Sequence, residues 1–315
     1  MEKCYKKATG SFKSANGITD IVYYIYTPPK KARASLQIVH GMSEFIERYE
    51  DFADFLCSNG IAVFGCDHIG HGNSVKKSED KGYFFTAKGW RDMIADCRTM
   101  MNIGRKSFQG VPYIMLGHSM GSFVARAAAV KFGSKINAAI FSGTGIGMPA
   151  LTAQLAFIET VAAAKGDRYR SKLVNDMAFG KYNSRITEPK TQSDWLTHDH
   201  DKIIEFLSDE KYVDMFTVNG FLNLSKLSGY VNRDEWYVAV RKDMPILMFS
   251  GSEDPVGGWG EGVKEVYEKL LACGCNVSLK LYEGGRHEML NETDRLGVYK
   301  DVLDWINNIA ETESV

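Results

Sequence analysis

The sequence predicts an α/β protein: a mostly parallel sheet with helices on both faces, interrupted by one inserted helical cap. Three observations carry that expectation. Short β-rich apolar runs alternate with amphipathic helical stretches, as a sheet covered on both faces requires. The alternation stops over residues 144–240, where helical patterns and loops replace buried strands, and it resumes at Met244. The run Gly117-His118-Ser119-Met120-Gly121 lies where a strand pattern gives way to a helix pattern.

In chain order, residues 9–14 and 20–27 read as an antiparallel edge hairpin turned at Ala15-Asn16-Gly17. The first buried strand is Ala34 to Val39, followed by a helix over 47–58 that Asn59-Gly60 stops. A strand at 61–66, a long helix at 90–106 and a strand at 111–116 come next. A helix over 120–132 and a strand at 138–142 complete the first part of the core, residues 1–143. After the insertion, the strand 244–249, helix 261–273, strand 276–281 and a helix near 294–310 close the same sheet, so 241–315 belong to that core.

Composition excludes several classes of function. The chain has 315 residues, 44% hydrophobic and 24% charged, enough apolar material for one large core. A net charge of -1 with scattered Lys-Lys pairs offers no footprint for a phosphate backbone, so no nucleic-acid partner is expected. No apolar run nears the roughly 20 residues that span a bilayer, and no apolar stretch follows the charges of Met1 to Lys7, so the expected compartment is cytoplasmic. The six cysteines read as free thiols, because the close pair Cys273 and Cys275 has no second pair or nearby histidine to make a zinc site.

Gly-x-Ser-x-Gly alone says little, since roughly 0.2 occurrences are expected by chance at this Gly and Ser content. Its position says more. Small residues at 117 and 121 permit the sharp turn that exposes a serine hydroxyl at the carboxyl edge of a sheet. Such a hydroxyl needs a base, and the base needs an acid to orient it. Asp254 follows the strand 244–249 and His287 follows the strand 276–282, in the order this arrangement requires, and of seven histidines only His287 follows Asp254. Glu253 is the competing acid on these grounds. The tetrahedral oxyanion needs backbone N–H donors, which Met120 supplies after the serine and Met42 supplies from the His40-Gly41-Met42 turn.

The stretches His40 to Tyr49, Asp67 to Ser74, 117–121, Ser250 to Gly257 and Tyr282 to Glu288 resemble the monoglyceride lipase and lysophospholipase-like group of α/β-hydrolases, classed with the serine aminopeptidase fold. The resemblance implies a Ser119–Asp254–His287 triad, with Asp254 rather than Glu253 as the acid, and oxyanion roles for Met42 and Met120. Glu44 and Arg48 match the family's Glu and Arg, which look placed to pair and brace the oxyanion loop; contact with a polar head group is the alternative role.

The activity so implied is ester hydrolysis through an acyl-enzyme, on monoacylglycerol or lysophospholipid-type lipids, without metal or cofactor. General carboxylesterase, thioesterase and aminopeptidase activities share the fold. A catalytically silent ligand binder would have lost a triad member, and none is lost here. Phe45 stands where the family commonly has His, and 144–240 match only loosely, so the substrate is left open.

The cap carries the remaining clues. Met148 to Ile158 is largely apolar, and Met177, Phe179, Met215, Phe216, Phe221, Leu222 and Leu224 add flexible or aromatic surface that would line an acyl pocket or touch a membrane surface transiently. The bland alternative is that they form the cap's own core. His and Asp alternate over 194–201, but a serine triad has no use for a metal, so the run reads as a polar loop entering a helix at 201–208. Asp67, His68 and His71 likewise read as a hydrogen-bonded loop beside the pocket.

Overall fold

The computed structural model describes residues 3–147 and 151–312. Eight strands form one sheet: β1 (Lys6–Lys13), β2 (Asp20–Thr27), β3 (Ala34–Val39), β4 (Ile61–Cys66), β5 (Tyr113–His118), β6 (Ala138–Ser142), β7 (Ile246–Gly251) and β8 (Val277–Tyr282). Their spatial order is β1-β2-β4-β3-β5-β6-β7-β8. Only the β1–β2 and β2–β4 pairs are antiparallel, and β4 through β8 run parallel. The hairpin forms as expected, with β1 beginning three residues earlier than its apolar pattern reaches.

The helices are α1 (Glu50–Ser58), α2 (Gly89–Ser107), α3 (Met120–Phe132), α4 (Leu151–Lys165), α5 (Lys172–Phe179), α6 (His200–Ser208), α7 (Val218–Val231), α8 (Asp234–Ala239), α9 (Glu261–Ala272) and α10 (Arg295–Thr312). The expected helix 47–58 begins as a 3-10 turn over Ile46–Tyr49 before α1 takes over.

β3 to β7 are buried on both faces, which is why they read as continuous apolar runs. Alternate side chains feed two cores. Leu36, Ile38, Ile114, Leu116 and Ile140 pack with Phe52 and Leu56 of α1 and with Val302 and Ile306 of α10. Phe64, Met115, Ala139 and Phe141 pack on the opposite face with Met93 and Met100 of α2, Val124 of α3 and Val266 of α9. Gly104 of α2 must be glycine, because a Cβ there would lie 2.0 Å from the Phe64 ring.

Between β6 and β7 the described residues form helices joined by loops, with no strand of the sheet. Residues 148–150, the start of the apolar stretch expected to line a pocket, lie outside the described residues. The other apolar side chains of this segment divide by surroundings. Phe216 and Phe221 are core, Phe179, Met215 and Leu224 face a cavity, and Met177 is exposed. No described helix is long and apolar enough to cross a membrane.

Candidate active site

β5 runs two residues past its apolar pattern, through Gly117 and His118, and delivers Ser119 to the N-terminal end of α3. Ser119 is held at φ 53°, ψ −122°, a conformation that a non-glycine residue adopts only under tertiary constraint. The flanking glycines provide that constraint. A Cβ on Gly117 would sit 2.4 Å from the Gly121 carbonyl oxygen, and one on Gly121 would sit 2.0 Å from that of Val39. The backbones therefore touch where any side chain would separate them, and the Ser119 N–H is tied to the Ser142 carbonyl of β6 at 2.9 Å.

Met120 opens α3, so its N–H has no acceptor within the helix. The other expected donor, Met42, lies in a loop shaped by two features. The Gly41 N–H donates to Glu44 Oε2 at 2.7 Å, and Ser43 adopts φ 65°. This turn presses on the serine: a Cβ on Gly41 would come 3.1 Å from Ser119 Cβ.

Asp254 follows β7, is fully buried, and accepts from Ser250 Oγ at 2.6 Å and from the Val256 N–H at 2.9 Å. His287 follows β8, is 1% exposed, and bonds Asp254 Oδ1 through Nδ1 at 2.9 Å. That bond leaves Nε2 as the nitrogen free for proton transfer. Glu253, the rival acid, is exposed. Burial works to depress the His287 pKa, but the charges of Asp254, Glu288 and Glu44 outweigh it and raise the value above the ordinary histidine range. Asp254 is opposite in sign: burial favours its neutral form, and His287 with Ser250 and Val256 holds its pKa below the usual value. His118, 4.6 Å from His287 between ring centres, is pushed down to about 3 by burial and by the His287 charge, and is neutral.

Glu44 and Arg48 pair, as the resemblance implied, but the pair is part of a larger buried set. Arg48 bonds Glu44 through Nη1 and grips both carboxylate oxygens of Glu288 at 2.8 Å each. Glu44 Oε2 also accepts from the Tyr49 hydroxyl at 2.9 Å. Arg48 thus joins the loop bearing Met42 to the residue after His287. Glu44 lines the cavity, while Arg48 lies behind it with its fork occupied. Burial opposes the charge on Glu288, yet Arg48 holds its pKa down to about 2. Glu44, also buried, is raised despite Arg48. Glu288 lies in a stretch that resembles the family, but its role as the partner of Arg48 was not read from the sequence, because the two lie 240 positions apart.

Ser119, His287, Met42 and Met120 face one cavity of about 450 Å³. Its lining combines apolar side chains, among them Phe123, Leu151, Phe179, Leu224 and Val256, with polar ones, among them Tyr182, Gln192, Ser193, Tyr212 and Asp214. The segment 194–198 is stitched to the histidine loop. The Glu288 N–H donates to the Leu196 carbonyl at 2.7 Å, Arg286 Nη1 donates to the Asp194 carbonyl at 2.8 Å, and the Trp195 ring lies 5.0 Å from that of His287.

The other polar candidates are engaged locally. Asp194 accepts from the Lys190 and Thr191 N–H groups, Asp199 caps α6, and His198 pairs with Glu292. Asp67 bonds the Ile46 and Asn73 N–H groups at 2.8 Å, and burial pushes its pKa up to about 6. Among the described residues, one grouping, Glu44, His118 and Glu288, brings three ligand atoms within 4.8 Å of one another; Arg48 already spans its two carboxylates.

Residues 30–294 match the serine aminopeptidase S33 family. The chain belongs to that family. It is an α/β-hydrolase of the monoglyceride lipase-like group and a serine hydrolase. It is 26% identical to a monoacylglycerol lipase of Mycolicibacterium smegmatis, covering 94% of this chain and 95% of that protein. It is 23% identical to the human monoglyceride lipase, covering 91% and 86% respectively. A thermostable carboxyl esterase from Bacillus coagulans, solved with glycerol, superposes with a TM-score of 0.91 at 30% identity over 96% of this chain and 99% of that one.

Proposed function

We propose that this serine hydrolase cleaves the ester of a monoacylglycerol through an acyl-enzyme, with Ser119, Asp254 and His287 as its triad. The observation that carries the reading is His287, fixed to Asp254 through Nδ1 and facing the same cavity as Ser119. Neutral His287 takes the Ser119 proton as the hydroxyl oxygen attacks the ester carbonyl. The Met42 and Met120 N–H groups stabilise the oxyanion. Imidazolium then returns the proton to the departing alcohol, and the same cycle with water frees the acid and the serine.

Residues 144–240 act as a cap on a core formed by 1–143 and 241–315. The apolar side chains of the lining suit an acyl chain, and the polar ones suit a neutral alcohol. Among the described residues lining the cavity there is no lysine or arginine to pair with a phosphate, and Asp214 adds a carboxylate that Arg48 does not hold, which favours monoacylglycerols over lysophospholipids. Leu173 and Met177, 59% and 48% exposed on α5, suit transient contact with a lipid surface.

Fluorophosphonate labelling tests the nucleophile: wild type labels and Ser119→Ala does not. A panel of acyl glycerols, lysophospholipids, thioesters and aminoacyl amides tests the substrate. Faster turnover of phosphate-bearing lipids or of peptidyl amides would overturn the choice of monoacylglycerol.

A further inference from the structure

Arg126 is a buried cation that the proposed chemistry does not use. It lies on α3, seven residues after Ser119, and is 0% exposed. No carboxylate pairs with it among the contacts of the described residues. Burial lowers its pKa to about 10, which leaves it charged at neutral pH. A buried cation without a counter-ion is costly, and an apolar side chain of similar volume would be the cheaper way to fill this space. Its contacts show what the charge does instead.

The segment between β6 and β7 leaves the core through residues 143–147 and returns through the end of α7 and through α8. Arg126 holds both connections. Nη1 donates to the Gly145 carbonyl at 3.0 Å and to Thr144 Oγ1 at 3.4 Å, on the outgoing side. Nη2 donates to the Val231 carbonyl at 2.6 Å, to Asn232 Oδ1 at 3.0 Å and to the Tyr237 hydroxyl at 3.4 Å, on the returning side. The guanidinium lies 4.4 Å from the centre of the Trp236 ring, whose Nε1 donates back to the Arg126 carbonyl at 2.8 Å.

Val231 ends α7, so its carbonyl has no partner within the helix and sits at the negative end of the helix dipole. One planar fork therefore satisfies backbone carbonyls from two chain segments 86 positions apart. A lysine, with a single nitrogen, could not span both.

We propose that Arg126 is a positioning residue for substrate selection, clamping the two connections of the cap to the nucleophile's helix and so fixing the cap's height over the acyl chain. This rests on the reading of 144–240 as a cap over a lipid-ester site. The clamped connections bear directly on the cavity wall. Gly147 lies two residues after Gly145, and Ser228 and Leu224 lie within two turns before Val231 on α7; all three line the cavity. The polar bond from Asn232 Nδ2 to the Ser228 carbonyl, 2.9 Å, carries the restraint into that wall. Among the described residues no hydrogen bond links Arg126 to Ser119, Asp254 or His287, and the last two keep their own 2.9 Å bond, so loosening the clamp acts first on the walls.

The test compares wild type, Arg126→Lys and Arg126→Met on p-nitrophenyl acetate and on monoacylglycerols from eight to eighteen carbons, with rates normalised to the fraction labelled by a fluorophosphonate. Acetate turnover and labelling rate are expected to stay within about twofold, while kcat/KM for the preferred long chain falls about tenfold, mainly through KM. A chain-length profile identical to wild type would overturn the clamp, and so would an equal loss on acetate and long-chain esters. If Arg126→Lys does not fold, the double variant Thr144→Val/Asn232→Ala carries the test, since it removes one side-chain acceptor from each connection and keeps the cation; an unaltered profile there overturns the proposal too. Wild type that neither labels nor cleaves any acyl glycerol would instead defeat the lipid-ester reading.

Discussion

Arg48 grips Glu288 with two parallel 2.8 Å bonds, one residue beyond His287, while its Nη1 also holds Glu44 on the loop bearing Met42. Two parts of the candidate machinery, far apart in the chain, are thus fixed to each other by one guanidinium. A fork of this kind is geometrically specific as well as strong.

Removing the fork strands two buried carboxylates. Arg48→Met is expected to lower unfolding stability by about 3–5 kcal/mol, because it breaks a buried charge pair on one side. Arg48→Lys keeps the charge but cannot grip bidentately, and should recover only part of that loss. Urea unfolding of the three proteins at neutral pH measures both effects; a Met variant as stable as wild type would show that the set contributes nothing to the fold.

The triad reading makes a sharper demand of Asp254. Asp254→Asn keeps the shape but removes the charge that orients His287 and offsets its burial, so kcat should fall about 10⁴-fold. Wild-type activity requires neutral His287, whose pKa is raised. The acidic limb of the kcat/KM profile should therefore lie above the ordinary value of about 6.5. In the variant burial acts unopposed by Asp254, and the limb should move to lower pH. A pH–rate profile of each protein checks the direction.

How far the sequence foretold this arrangement depended on whether a residue's role is local. β3, β4 and β6 were legible because strands buried on both faces must be apolar throughout. The beginning of β1 was not, since Lys6, Lys7 and Ala8 lie on an exposed edge and obey no burial pattern. Gly117, Ser119 and Gly121 were readable because the close backbone approach at that turn admits so few residue types. The roles of Arg126 and of Glu288, the latter within a stretch that resembles the family, were not readable for the opposite reason: they depend on partners brought close only by folding. In the inserted segment, apolarity marked Phe216 and Met177 alike, although one is core and the other exposed. A short apolar run cannot tell a helix's inward face from its outward one.

Stability should also fall in mild acid. His40, His68, His71 and His118 are all buried, and burial leads in lowering each pKa, to about 3 for His68 and His118 and about 4 for His71. A group with a depressed folded pKa contributes stability present above its unfolded pKa. That contribution is lost as pH falls, here from about 6.5 downward, because the unfolded chain takes protons that the folded one refuses. Asp67 and Asp96, both pushed up to about 6 by burial, and the raised Glu44 and His287 work the other way and offset part of the loss. The urea midpoint should therefore drop between pH 7 and pH 5. Replacing His71, whose Nε2 has no hydrogen-bond partner among the described residues, by Phe should reduce that drop.

The oxyanion loop gives the most localised prediction. Gly41 donates its N–H to Glu44, and the space over its Cα is already filled: a Cβ would meet Glu44 Oε2 at 2.6 Å and Ser119 Cβ at 3.1 Å. Neither neighbour can give way cheaply, since Glu44 is held by Arg48 and Tyr49, and Ser119 is fixed at positive φ by the packed glycines around it. Gly41→Ala must displace the turn that carries Met42, moving one of the two proposed oxyanion donors. Loss of a single donor of this kind costs about 10²–10³ in kcat. The Asp254–His287 bond, which leads in raising the His287 pKa, is not in contact with Gly41, so the acidic limb of the pH profile should stay close to that of wild type while kcat falls. A Gly41→Ala protein with full kcat would remove Met42 from the oxyanion role and leave Met120 to act with some other donor.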